Sequence, residues 1–257
     1  MYSLKWCPDR VADILEACGA SDPGSSPGRD IVLKEKVVIM EFPPNIDIVE
    51  SDFPKAWAKL VMKIMISGMV LTTEYGNKSK DVCSRITLSE GAVNQILKKE
   101  MHPQEPFGKI RTGEYLKQYT RDYDWKAQGF EYTYMDRLIN YNGSIDQLAA
   151  LKQKVKKGIT RRAQAITWLP GQDVNTEHPP CLQRIWIRPL SESTCEVHLS
   201  WRSRDAYSAW SSNLCGIVDM LYREILDDMK IVKFVDVCDS AHIYDTDWDA
   251  ANKVRLP

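Results

Sequence analysis

The sequence predicts an α+β fold built on a mixed sheet, and three observations carry that reading. Apolar residues recur at helical spacing over 53–68, 145–155 and 214–225. Strict alternation marks 184–188 and 195–201, and 231–237 is a β-rich apolar run of the kind a buried strand shows.

Taken in order, residues 19–30 hold most of the glycine, proline and serine punctuation and read as a loop or flexible link. Residues 1–30 are therefore expected to be an N-terminal extension, with one main domain over 31–257. In 53–68, Trp57, Leu60, Val61, Ile64 and Met65 form one helical face, and Gly68 stands where a C-terminal cap belongs. A second amphipathic helix carries Ile145, Leu148, Leu151 and Val155, with Ser144 available as its N-cap. The lysines that close it, Lys152, Lys154, Lys156 and Lys157, suit the negative end of a helix dipole and read as a solvated face. Arg184-Ile185-Trp186-Ile187-Arg188 and Cys195 to Trp201 then alternate as half-buried strands, with the turn at 189–194. Leu214, Ile217, Leu221 and Ile225 return to helical spacing before the last strand.

Composition bounds the function. Thirty-four basic and thirty-five acidic residues give a formal charge of −1, so no global field draws the chain to nucleic acid or an anionic membrane. Any phosphate binding must be local. Seven cysteines (Cys7, Cys18, Cys83, Cys181, Cys195, Cys215, Cys238) without a C-x-x-C pair argue against a secreted disulfide framework, and cytoplasmic localisation is expected. No apolar run approaches the roughly 18 residues of a membrane span, and no metal site is expected.

Cys181 stands out among the thiols. Pro179 and Pro180 restrict the backbone before it, and Arg161, Arg162, Arg184, Arg188, Arg202 and Arg204 lie within about twenty residues of it, where cations favour the nucleophilic thiolate. On its own, a free cysteine is more often a small buried hydrophobe, and paired arginines after a helix are more often a surface pair.

The order of the neighbouring motifs changes that balance. Arg161-Arg162, Trp168, Pro180-Cys181, Arg202-Ser203-Arg204-Asp205, Asn213 and His242-Ile243-Tyr244 together resemble the thymidylate synthase family, and Tyr132-Thr133-Tyr134 and Asp146-Gln147 resemble family positions upstream. Thr73-Glu74-Tyr75-Gly76 and Ser240 to Tyr244 resemble segments of its compact archaeal-type branch. The likeness spans about residues 53–250.

The resemblance implies a thymidylate synthase-like mixed sheet packed with helices, assembled as a two-fold dimer through the sheet. It also implies one-carbon transfer from 5,10-methylenetetrahydrofolate to C5 of a pyrimidine nucleoside 5′-monophosphate, most simply dUMP to dTMP, through a covalent bond between cysteine and C6. In those terms Cys181 is the nucleophile, with Glu114 and Tyr134 as the other catalytic groups. Arg202 and Ser203 match the phosphate ligands, and fixed arginine forks suit a doubly charged phosphate. Arg161 and Arg162 match the pair that reaches across the interface into the neighbour's site in a homodimer. Asn213 matches the base reader, since an amide can complement N3–H and O4 of uracil. His242 and Tyr244 match contacts to the sugar, Asp205 matches the carboxylate that holds the pterin, and Trp125 an aromatic wall of the folate pocket.

The chain also departs from the pattern. Leu182 follows the nucleophile where many members have His, Met135 replaces a common Gly, and Tyr75 stands where an Arg is usual, leaving Lys78 or Lys80 as substitutes. Pro257 comes only thirteen residues after Tyr244, before the C-terminal lid of longer members. A looser site lets water, in place of hydride, complete the reaction, so 5-hydroxymethylation of dCMP, CMP or dUMP is the nearest rival. A catalytically silent nucleotide-binding protein on the same fold is a second.

Overall fold

The structure is a computed structural model and describes residues 42–257. The N-terminal extension expected over 1–30, with its 19–30 link, Cys7 and Cys18, lies outside the described residues.

Among the described residues eight strands form one mixed sheet: β1 (Asn45–Glu50), β2 (Met69–Thr72), β3 (Lys78–Ser89), β4 (Ala163–Ile166), β5 (Leu182–Pro189), β6 (Thr194–Trp201), β7 (Arg204–Asp205) and β8 (Lys230–Tyr244). The main path runs β1-β3-β8-β6-β5-β4, with β2 paired to β3 and β7 to β8. β8 is parallel to β6 and antiparallel to β3, which makes the sheet mixed as expected. Among the described residues eight α-helices accompany it: α1 (Phe53–Ser67), α2 (Glu90–Leu97), α3 (Gly108–Tyr115), α4 (Tyr134–Ile139), α5 (Gln147–Lys156), α6 (Pro170–Asp173), α7 (Trp210–Leu221) and α8 (Trp248–Ala251).

α1 follows its sequence signals closely. The Asp52 side chain accepts from Lys55 N, Pro54 occupies the first turn, and the Gly68 N–H closes the end on the Ile64 carbonyl. Its buried stripe includes Trp57, Leu60, Val61 and Ile64. α5 differs by two residues from the expectation. Asp146, not Ser144, caps it, accepting from Ala149 N, because Ile145 is held in a β-bridge with Tyr141 and points half its surface to solvent. Leu148, Leu151 and Val155 are buried as the periodicity requires. The closing lysines behave as a solvated face, with Lys152 and Lys156 pairing with Asp227.

Alternation sorts the sheet. Ile185 and Ile187 of β5 and Cys195, Val197, Leu199 and Trp201 of β6 enter the core with Ile86, Leu88 and Phe234. Arg184, Trp186 and Arg188 pair across strands with Ser200, His198 and Glu196 and form a second, polar and aromatic face. One charged cluster lies deep in the core: Asp236, fully buried, pairs with Arg204 and accepts from the indole N–H groups of Trp201 at 2.8 Å and Trp210 at 2.9 Å. The Arg204 guanidinium lies over the Trp201 ring at 4.3 Å. Such a pair is sustained by added hydrogen bonds and ring contacts, since burial alone penalises both charges.

Candidate active site

The nucleophile candidate sits at a strand entrance. Cys181 is a half-buried free thiol one residue before β5. Its backbone is tied on several sides: the Arg202 N–H donates to the Cys181 carbonyl at 3.0 Å, and Arg202 Nε and Nη2 donate to the carbonyls of Pro180 at 3.1 Å and Pro179 at 2.7 Å. Gln183 Nε2 also donates to the Pro180 carbonyl, at 2.6 Å. The arginine expected to hold phosphate therefore also braces the loop that presents the thiol. Its Nη1 has no hydrogen-bond partner among the described residues and is free for a ligand oxygen.

Burial separates Cys181 from most of the other thiols. It pushes Cys195, Cys215 and Cys238 up to about 12, which leaves them as inert core residues at neutral pH. Cys83 is half-buried, but its thiol is bonded to the Asp239 carbonyl at 3.0 Å.

Three phenols lie within electrostatic reach of the Cys181 thiol. Tyr115, Tyr132 and Tyr134 are all raised, chiefly by burial and further by the charge at Cys181, with Tyr132 reaching about 12. They stay protonated and can act as hydrogen-bond donors. With Gln118, Tyr119, Gly129, Phe130, Glu131, Thr133 and His178 they line a cavity of about 530 Å³. Their rings pack in sequence, Tyr115 to Tyr119 at 5.7 Å, Tyr119 to Tyr134 at 6.4 Å, and Tyr134 edge-on to Trp201 at 5.8 Å. α7 comes close enough to hold this stack because Gly216 has no side chain. A Cβ there would lie 2.6 Å from Tyr119 Cδ2.

Several expected residues converge on this end of the sheet. Ser203 Oγ lies 3.4 Å from His242 Nδ1, and His242 packs edge-on to Tyr244 at 4.8 Å. Burial raises Tyr244, and the charges of Asp205, Tyr75, Glu74 and Cys181 add to it, so the β2–β3 turn reaches the same region. Asp205 pairs with His242 in the short β7–β8 ladder. Its carboxylate already accepts from Tyr207 N at 2.8 Å, Ser208 N at 3.0 Å and Ser208 Oγ at 2.5 Å, a local turn that fixes its direction. Asn213, 5% exposed on α7, donates through Nδ2 to the Ala209 carbonyl at 2.7 Å and to Tyr115 Oη at 3.4 Å.

Other expected residues are not brought in. Glu114 is exposed on α3 and does not line the cavity, because the helix turns its neighbour Tyr115 inward instead. The buried carboxylate nearby is Glu105, 6% exposed. Burial pushes it up to about 7 against a hydrogen bond from Gly108 N at 2.6 Å, and its Oε1 has no partner among the described residues. Trp125 is half-buried under Lys126 and does not line the cavity, whereas Phe130 does. Arg161 and Arg162 are exposed ahead of β4, and the backbone carbonyl of Arg161 accepts from Trp186 Nε1 at 3.0 Å. Lys80 lies in β3 and its ammonium donates to the Met65 carbonyl at 2.6 Å. Tyr75 on the β2–β3 turn meets His178 Nδ1 at 3.3 Å.

Tyr115, Tyr119 and Glu105 are the residues that sequence reasoning did not single out. The folate expected at such a site fits the aromatic walls: Phe130, Tyr132 and Tyr134 offer flat apolar faces to a heteroaromatic ring. Among the described residues no helix is long and apolar enough to cross a membrane.

Comparison with known proteins agrees with this geometry. The family model described as "Thymidylate synthase" matches residues 88–255. A protein of Methanosarcina mazei is 31% identical over 205 residues, covering 77% of this chain and 89% of the relative. One of Methanococcoides burtonii is 30% identical over 202 residues with the same coverage, and one of Methanothermobacter marburgensis is 26% identical over 220 residues, 81% of this chain and 97% of the relative. All three carry the name "Putative thymidylate synthase".

Proposed function

The chain belongs to the thymidylate synthase family, and from that premise we propose that it transfers a one-carbon unit to C5 of a pyrimidine nucleoside 5′-monophosphate, converting dUMP to dTMP. One observation carries the proposal: a half-buried thiol at Cys181, braced by Arg202 and within electrostatic reach of the protonated phenols of Tyr115 and Tyr134.

The residues divide the work as follows. Cys181 as thiolate adds to C6, forming an S–C6 bond and moving the C5=C6 electron pair toward C5 and O4. Donors around O4 stabilise that charge in a partly dry cavity, where fixed hydrogen bonds act most strongly. Loss of the C5 proton and breakage of the S–C6 bond then return the thiolate. Arg202 Nη1 and Ser203 bind the phosphate, His242 and Tyr244 contact the sugar, and Asn213 reads the base. Tyr134 holds the position beside the thiol and takes part in proton transfer. Asp205 faces the folate, with Phe130 in the wall role expected of Trp125. 5,10-Methylenetetrahydrofolate, when bound, supplies the one-carbon unit and, for methylation, the hydride.

Arg161 and Arg162 are exposed, which suits a role in the neighbouring site of a homodimer paired through the polar and aromatic sheet face. Trp186, Arg188, Glu196 and His198 on that face carry the mixed aromatic and charged character of an interface.

A second reading, 5-hydroxymethylation, is favoured by Leu182. It is fully buried in β5, so the position after the nucleophile offers no imidazole for proton handling. Incubation with methylenetetrahydrofolate and each of dUMP, dCMP, UMP and CMP separates the two. The proposal expects a product in which methyl has replaced the C5 hydrogen, heavier by one CH2, with dihydrofolate formed, from dUMP. A hydroxymethyl product without dihydrofolate replaces it with the second reading, and no product from any nucleotide rejects both.

A further inference from the structure

Tyr75 and His178 are 103 residues apart in the chain and meet at 3.3 Å, Oη to Nδ1, with their rings stacked at 6.2 Å between centroids. The turn that carries Tyr75 is fixed by its own backbone. Tyr75 N donates to Thr73 Oγ1 at 3.2 Å, Gly76 N to the Thr73 carbonyl at 3.0 Å, and Thr73 N to the Asn77 carbonyl at 2.8 Å. Gly76 completes the turn at φ +86°, where a residue without a Cβ sits at no steric cost. Just beyond it, Lys78 N donates to Asp245 Oδ2 at 3.1 Å, which ties the turn to the segment after β8. Tyr75 is 60% exposed, so this backbone, and not core packing, sets where its ring lies.

His178 stands three residues before Cys181, and Arg202 holds the carbonyls of the two prolines between them. The His178 ring lines the aromatic cavity, whereas Tyr75 does not. Tyr75 therefore grips the imidazole from outside, at Nδ1. A phenol is the stronger donor of the two and a bare imidazole nitrogen the stronger acceptor, so Tyr75 donates and Nδ1 accepts. The bond made by one ring nitrogen decides which nitrogen carries the proton, and here that is Nε2. No group among the described residues accepts a hydrogen bond from Nε2. His178 thus offers the cavity an N–H donor beside the flat faces of Phe130, Tyr132 and Tyr134.

We propose that His178 is a binding residue for the folate co-substrate, donating from Nε2 to a carbonyl oxygen of the ligand in this cavity, and that Tyr75 is the positioning residue that sets its ring. This rests on the reading of the aromatic cavity as the folate site. Glu131 lines the same cavity, and its charge favours an uncharged acceptor, such as an amide carbonyl next to an aromatic ring, over a carboxylate. The β2–β3 turn then serves the co-substrate in place of the phosphate, which accounts for a phenol at the position where the family resemblance implies an arginine.

The test is isothermal titration of tetrahydrofolate into the full chain saturated with dUMP, since tetrahydrofolate carries no one-carbon unit and binds without turnover. dUMP binding is measured alongside. Tyr75→Phe keeps the stacked ring and removes the hydroxyl, while His178→Phe keeps an aromatic wall and removes the donor. Each is expected to weaken tetrahydrofolate binding by about 3- to 10-fold with dUMP affinity unchanged. The double variant is expected to lose no more than His178→Phe alone, because Tyr75 acts through His178. Unchanged tetrahydrofolate affinity in either single variant, or losses that add in the double variant, overturns the assignment and leaves the nucleotide and folate sites standing. Weakened dUMP binding in Tyr75→Phe gives the turn to the nucleotide and overturns it as well. A wild type that binds dUMP but not tetrahydrofolate overturns the reading of the cavity, and one that binds neither overturns the site reading; this assignment falls in both cases.

Discussion

Arg202 holds Cys181 in place through the backbone: its N–H reaches the Cys181 carbonyl at 3.0 Å while its guanidinium spans the carbonyls of Pro179 and Pro180. A residue expected to bind phosphate thus also sets where the thiol points. Arg202→Lys keeps the charge but loses the planar fork, so it is expected to lower kcat as well as raise KM for the nucleotide. Displacing a nucleophile by about 1 Å costs on the order of 100-fold in rate. Steady-state kinetics checks this; a variant with raised KM and unchanged kcat would confine Arg202 to phosphate binding.

The Arg204–Asp236 pair sits fully inside the core under the phenols. Asp236→Ala leaves the guanidinium buried without its counter-ion, with Nε and Nη1 already unpartnered among the described residues. The expected loss is about 3–5 kcal/mol of stability, read from the urea midpoint at constant m-value. A loss under about 1 kcal/mol would show that the stacked Trp201 and Trp210 rings hold the charge alone.

Glu105 makes stability depend on pH. In the unfolded chain it titrates near 4.5, and in the fold it is pushed up to about 7 by burial. Between those values the folded state keeps a proton that the unfolded state releases, so this group's contribution falls as pH rises and is level above about 7. The full difference is about 3 kcal/mol. Glu105→Gln is expected to flatten the stability profile between pH 5 and pH 8 relative to the wild type, measured by urea unfolding. Parallel profiles for the two proteins would contradict this.

Much of the fold was legible because its signals are local. The capped stripe of α1 and the alternation of β5 and β6 each depend on a few neighbours. β3 gave no such signal: its first half, with Lys78, Lys80 and Asp81, looks like a polar loop, yet it is the second strand along the sheet. Asp81 is tolerated there because Ser240 Oγ donates to it across the β3–β8 pair, at 2.5 Å. The last strand runs seven residues past the apolar run 231–237, through the polar stretch that delivers His242 and Tyr244. At the site, motif order pointed to Cys181, Arg202 and Asn213. It could not tell Glu114 from Tyr115, because helix phase over α3 was set by weak apolar contrast. Nor could it find Glu105, whose burial follows from distant packing and not from its neighbours in the chain.

Site sharing in a dimer has a direct test. Arg161→Ala, Arg162→Ala protein and Cys181→Ala protein are each expected to be inactive, and mixed dimers of the two are expected to regain part of the wild-type rate through one intact site. Verified mixed dimers with no activity would place these arginines outside the catalytic machinery.

The central claim is the covalent bond between Cys181 and C6 of a pyrimidine. A 5-fluoro pyrimidine nucleotide traps it, because C5 carries no proton to lose after the one-carbon unit has joined and the S–C6 bond cannot then break. Intact-protein mass spectrometry after incubation with 5-fluoro-dUMP and methylenetetrahydrofolate is expected to show a ternary adduct that maps to the peptide containing Cys181 and is missing in Cys181→Ala. An adduct on another cysteine, or turnover of dUMP by Cys181→Ala at the wild-type rate, would contradict the account.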